Sequence, residues 1–141
     1  MPQLAAFPKL YLTALCDGSM RLSEWIDLAA GLDLDGIEMY SLIVDLEDPA
    51  HWSRYREEAA SKGLAIPMLC CSPDFTHPDP AFRAAEIAKE KSWIEMAAAL
   101  GANYCRVLSG QRRPDVSRAE GIELAARCIQ ACLPHAADHG V

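Results

Sequence analysis

The stretch Ala97-Ala-Ala-Leu-Gly-Ala-Asn-Tyr-Cys-Arg-Val-Leu108 decides the fold. Its first half continues an apolar helical repeat in which Ile87, Ile94, Ala97 and Ala98 recur at helical spacing, and Gly101 ends it. Its second half, Asn103 to Leu108, reads as a strand. Helix, glycine, strand is the joint of a parallel α/β protein. The joint recurs at Gly36, ahead of Ile37-Glu-Met-Tyr40, and at Gly63, ahead of Leu64-Ala-Ile-Pro-Met-Leu-Cys70. Gly140 stands in the same context before Val141.

Working outward, Lys9-Leu-Tyr-Leu-Thr-Ala-Leu15 reads as a first strand, and Ser23 as the cap of a helix from Glu24 to Ala30. Asp48-Pro49 and Asp79-Pro80 are helix starts, Asp capping and Pro filling the first helical position. The helices they open run to Lys62 and to about Leu100. Ser117 and Glu120 form a capping box for a last helix ending near His139. The pattern is (βα)4 followed by the beginning of a fifth strand. Four units in this length project to roughly 280 residues for eight, the size of a (β/α)8 barrel. The expected fold is therefore α/β: a parallel (βα)4 half of a TIM barrel, one domain over 1–141, cut at the start of strand 5. A complete small doubly wound sheet is the alternative.

The chain has 141 residues, a net charge of −7 and about half apolar residues. An acidic chain without clustered Lys and Arg argues against nucleic acid and against an anionic membrane surface. The mixed charges of Arg54, Arg56, Glu57 and Glu58 mark a solvated helix face, not a basic stripe. No apolar run reaches the ~20 residues of a membrane span. The stretch Met1 to Cys16, with Pro2 and Pro8, makes a poor signal peptide. The six cysteines contain no CxxC pair and are expected as reduced thiols in a cytoplasmic protein.

In this order the residues carry a resemblance. Gly36-Ile-Glu38 resembles the second-strand Gly-x-Glu of the xylose-isomerase-like TIM barrels, the sugar (phosphate) isomerase/epimerase superfamily. Lys89-Glu-Lys-Ser-Trp-Ile94, Ala97 to Ala102 and Cys105-Arg-Val107 resemble its third helix and fourth strand. Ser109-Gly-Gln111 and Ala136-Ala-Asp-His-Gly-Val141 continue the match. The resemblance covers the whole chain but only the N-terminal half of the family's barrel. It implies metal-assisted proton transfer on a sugar or hydroxy-ketone, with a divalent metal (Mn, Mg or Zn) in the completed barrel. The family's metal ligands sit on strands five to eight. This half is therefore expected to hold no metal and to be inactive alone.

Candidate site residues lie at the C-terminal ends of strands. Four segments qualify: Thr13 to Asp17, Glu38 with Tyr40, Cys70 to His77, and Arg106 to Gln111. Glu38 and Arg106, charged groups in strands expected to be buried on both faces, need partners. Glu38 is read as a contact to a substrate hydroxyl or a support for a metal-ligating His, Arg106 as a contact to an anionic substrate group, or the two as an ion pair with each other. Gln111 suits a polyol hydroxyl or an exposed loop. In Cys71 to Pro80, Phe75 reads as an apolar lid, and His77 as a polar contact or a helix start. Cys70 and Cys71 point to opposite faces; both read by default as small core residues, and Cys71 is taken as the one that would shape the pocket. The set Cys128, Cys132, His135 and His139 shares a helix face, but at ~1.5 Å rise per residue its ends lie about 16 Å apart, too far to surround one ion. The partners expected are a small sugar or hydroxy-ketone substrate and, because a half-barrel leaves two sheet edges and an apolar inner face, a homodimer mate or a complementary half. The alternative function is a non-catalytic (βα)4 module that binds a small molecule or assembles with another chain.

Overall fold

A computed structural model describes residues 3–44 and 48–141. Met1 and Pro2, read above with the N-terminal stretch, lie outside them. The chain begins with β1 (Ala5–Ala6), a 3-10 turn (Lys9–Tyr11) and helix α1 (Leu12–Cys16). Then come α2 (Leu22–Ala30), β2 (Gly36–Ile37), β3 (Met39–Tyr40) and α3 (Pro49–Ser61). The remainder is β4 (Met68–Cys70), α4 (Pro80–Leu100), β5 (Tyr104–Arg106) and α5 (Arg118–His139). All strand pairs are parallel: β1 with β2 in one sheet, and β3–β4–β5 in another. The Glu38 N–H donates to Ala6 O and the Ile37 N–H to Ala65 O, so the β2–β3 segment joins the two sheets. Strand order follows chain order, as in one half of a barrel, and the sheets are open.

One expectation fails at the N-terminus. Lys9 to Leu15 is not a strand; it is the 3-10 turn and α1. Tyr11, Leu12 and Leu15 also satisfy a helical period, and a short apolar run does not choose between the two. The strand lies earlier, where Ala5 and Ala6 align with Gly36 and Ile37. Ser23 likewise is not the cap: the Arg21 N–H donates to Glu24 Oε2 at 2.7 Å, and the Ser23 hydroxyl donates to Glu58 Oε2. The helix starts at Asp48, Asp79 and Ser117 stand where the sequence put them, each side chain accepting from a backbone N–H of the first turn. Val141 forms no strand; it packs against the core.

Two glycines are dictated by space. A Cβ on Gly36 would lie 2.6 Å from Ala65 O, where the two backbones form a parallel bridge. Gly101 caps α4 at φ +78°, and a Cβ there would press on the Arg56 side chain.

The main core fills the space between the sheets and α2–α4. Trp25, Ile26, Ile37, Met39, Leu69, Trp93 and Met96 are buried in it. A second cluster, Phe75, Ile94, Ala125, Cys128 and Cys132, holds α5 against α4. Among the described residues no helix is long and apolar enough to cross a membrane.

Candidate functional site

Side chains alternate along a strand, so every second residue faces away from the helices. Ile37, Met39, Leu69 and Cys71 turn into the core. Glu38 and Tyr40, Cys70 and Ser72, and Arg106 and Leu108 turn the other way and line one cleft of about 380 Å³ with Phe7, Lys9 and Leu12. The register places Tyr40, Cys70 and Arg106 abreast across β3, β4 and β5. The sheet face expected to be apolar is thus largely polar, and Glu38 and Arg106 are half-buried on it.

At the floor, the Cys70 thiol donates to Glu38 Oε2 at 3.4 Å. Burial pushes this thiol up; the Arg106 hydrogen bond and charge pull it down, and Glu38 pushes it up again. Cys70 therefore stays a neutral thiol between an anion and a cation. Glu38 and Arg106 do not form an ion pair with each other among the described residues; both lean on Cys70 instead. The Phe7 ring meets Tyr40 edge-on at 5.9 Å and forms a side wall. One carboxylate, two cations (Lys9 and Arg106), a thiol and a phenol suit a neutral polyol or a weakly anionic ligand.

The other sequence candidates go elsewhere. Cys71 is fully buried behind the sheet, 3.5 Å from Cys105 Sγ; Cys70 takes the place in the cleft that was assigned to it. Thr13 to Asp17 belong to α1 and to the turn after it, not to a strand end. Phe75 is no lid: it is fully buried in the second core. His77 stacks on Phe82 at 4.1 Å, and its Nδ1 accepts from the Asp79 N–H, which organises the start of α4.

Gln111 lines a different depression, of about 720 Å³, with Thr76, Arg112, Arg113 and Ser117. Asp74 ties that loop down, accepting from the Gln111 N–H at 3.1 Å and from Arg113. Burial raises the Asp74 carboxyl, but the hydrogen bonds from Gln111 and Thr76 and the Arg113 charge outweigh it and hold the group low.

On α5 the cysteines and histidines part company. Cys128 and Cys132 are buried in the second core, while His135 pairs with Glu95 at 3.0 Å and His139 Nδ1 bonds to His135 O.

Phe7, Lys9 and Leu12 were missed as cleft residues, while Cys70 and Ser72 lay within the candidate segment Cys70 to His77 without being singled out. Period two puts Cys70 and Ser72 on one face and Cys71 on the other, but it does not say which face meets the cleft. Nothing local marks Phe7 and Lys9, because the strand that delivers them is two residues long.

The sequence model of the xylose isomerase-like TIM barrel family matches residues 26–141. No curated protein matches the chain. Among solved structures, a D-psicose 3-epimerase in the presence of D-fructose superposes with a TM-score of 0.81 at 18% identity, over 99% of this chain and 50% of that one. The D-psicose 3-epimerase with D-tagatose from Clostridium cellulolyticum H10 gives 0.81 at 13% identity, over 99% and 50%. An L-ribulose 3-epimerase gives 0.73 at 16%, over 100% and 48%. The chain spans about half the length of these structures, and at such identities the likeness is one of fold.

Proposed function

We propose, from the fact that this chain belongs to the xylose isomerase-like TIM barrel family, that it supplies the N-terminal half of the substrate pocket of a sugar isomerase or epimerase. The completed barrel would move a proton on a sugar or hydroxy-ketone with a divalent metal, in the cytoplasm. The observation that carries the reading is the row Glu38, Tyr40, Cys70 and Arg106, all on one open sheet face at the C-terminal strand ends.

The chain's own residues act on the sugar. Arg106 offers a planar fork of N–H donors to a carbonyl or hydroxyl oxygen. Glu38 accepts from a neighbouring hydroxyl, and the neutral Cys70 holds both in place. Phe7 and Tyr40 shield the apolar face of the sugar ring or chain. These residues do not make a divalent-metal site: the single carboxylate of the cleft shares it with Arg106 and Lys9. The metal that the resemblance implies is left to groups outside this face, and no step is drawn through it. Gln111 and His77, held in the neighbouring loops, would reach the ligand only from the rim.

Amide NMR of the chain titrated with D-fructose and L-ribulose tests the reading. Shifts confined to residues 38–40, 70–72 and 106–108, with millimolar affinity and lost in Arg106→Met, are expected. Shifts elsewhere, or binding unchanged in Arg106→Met, would sink it.

A second reading, the assembly module, is favoured by one feature. Among the described residues β1 pairs only with β2 and β5 only with β4, so both outer edges are open. Light scattering after size exclusion decides it: a dimer, or a complex with a complementary half, supports assembly, and a stable monomer counts against it.

A further inference from the structure

Behind the sheet, away from the cleft, three side chains from three elements converge. Cys71 follows β4, Cys105 lies in β5 and Glu90 is in α4. The two sulfurs are 3.5 Å apart, and the Cys105 thiol donates to Glu90 Oε1 at 3.2 Å. One donor atom from each residue lies within 4.8 Å of the other two. Glu90 is fully buried, and its Oε2 has no hydrogen-bond partner. Ser41 is buried beside Cys71, and its hydroxyl bears on the Cys71 thiol. An orphaned buried polar atom costs about 1–3 kcal/mol, so the free Oε2 of Glu90, beside two thiols, calls for a ligand.

We propose that Cys71, Glu90 and Cys105 form a structural binding site for a thiophilic divalent cation of the Zn²⁺ class, with the Ser41 hydroxyl or a water completing four-coordination. The geometry is close to that of a formed site. With Zn–S of ~2.3 Å and Zn–O of ~2.0 Å, tetrahedral donors stand about 3.8 Å apart for two sulfurs and about 3.5 Å for sulfur and oxygen. The observed separations of 3.5 and 3.2 Å fall just inside these values, so small rotations open the space. On binding, each thiol releases its proton to solvent, and two thiolates and one carboxylate face the ion. No oxidation is involved. Two sulfur donors select against Mg²⁺ and Ca²⁺, which take oxygen. The ion would staple β4, β5 and α4 beneath the cleft floor.

The test uses the untagged chain, stripped with a chelator and titrated with Co²⁺. The expected result is one equivalent bound with a thiolate-to-cobalt charge-transfer band, displaced by Zn²⁺. Cys105→Ser should abolish the band, and Cys128→Ser should leave it. Glu90→Gln, which keeps side-chain size, should weaken Co²⁺ binding at least tenfold while far-UV circular dichroism stays unchanged. No uptake by the folded chain would overturn the proposal, as would a band that survives Cys105→Ser. So would binding lost only in His135→Ala, which would assign the metal to the surface trio Glu95, His135 and His139. Should Cys105→Ser not fold, X-ray absorption on the Zn²⁺-loaded wild type decides: two sulfur neighbours support the site, and a shell of nitrogen and oxygen alone overturns it.

Discussion

Replacing Glu90 by Gln should make the metal-free protein more stable at pH 8 and change it little at pH 4.5. Burial pushes the Glu90 carboxyl from 4.5 up to about 7; the Cys105 hydrogen bond opposes this and Glu86 adds to it. The folded state therefore holds a proton that the unfolded chain has already lost between pH 4.5 and about 7. Stability falls as pH rises through that window and levels off above it. At ~1.36 kcal/mol per unit, the full penalty is about 3 kcal/mol. Gln carries no charge to desolvate, so the variant escapes this penalty. Urea denaturation of both proteins, with chelator present, at several pH values between 4.5 and 8 measures the difference. For a chain of this length it corresponds to roughly 10 °C in Tm at pH 8. A variant less stable than wild type at pH 8, or a difference that does not change with pH, would refute the argument that an uncompensated charge sits behind the sheet. With saturating Zn²⁺ the sign should reverse, because the wild type then gains a ligand that the variant lacks.

Two further outcomes follow from the geometry. Gly101→Ala should cost about 1–2 kcal/mol in thermal or chemical denaturation, since φ +78° strains any Cβ and this one meets Arg56. Asp74→Asn should raise hydrogen exchange across residues 109–113; in the wild type, because the carboxyl is held below its ordinary value, the tie is present at neutral pH and weakens as pH falls below about 4.

The starts of α3, α4 and α5 were legible in the sequence because they are set within a few residues. Asp79-Pro80 and Gly101 bracket α4 through an N-cap, a fixed φ and a left-handed C-cap, none of which needs the rest of the chain. The first strand was not legible. Two alanines carry no periodic signal, and they become a strand only because Gly36 and Ile37 lie alongside. The loop from Ser72 to Asp79 misled for a related reason. Phe75 and His77 look like mouth residues by position, yet Phe75 is drawn into the core by Ile94 and Cys128, and His77 is held by Phe82.

The same division runs through the site. The sequence by itself determined the parallel α/β class and marked Glu38 and Arg106 as candidates, because charges inside apolar strands stand out in one dimension. Only the tertiary structure decided which partners they meet. Strand register brings Cys70 between them, turns Cys71 toward Cys105 and Glu90, and carries Gln111 to a separate depression. A strand's period of two fixes which residues share a face, but the pairing of strands far apart in the chain depends on how the helices pack, and no local spacing records that.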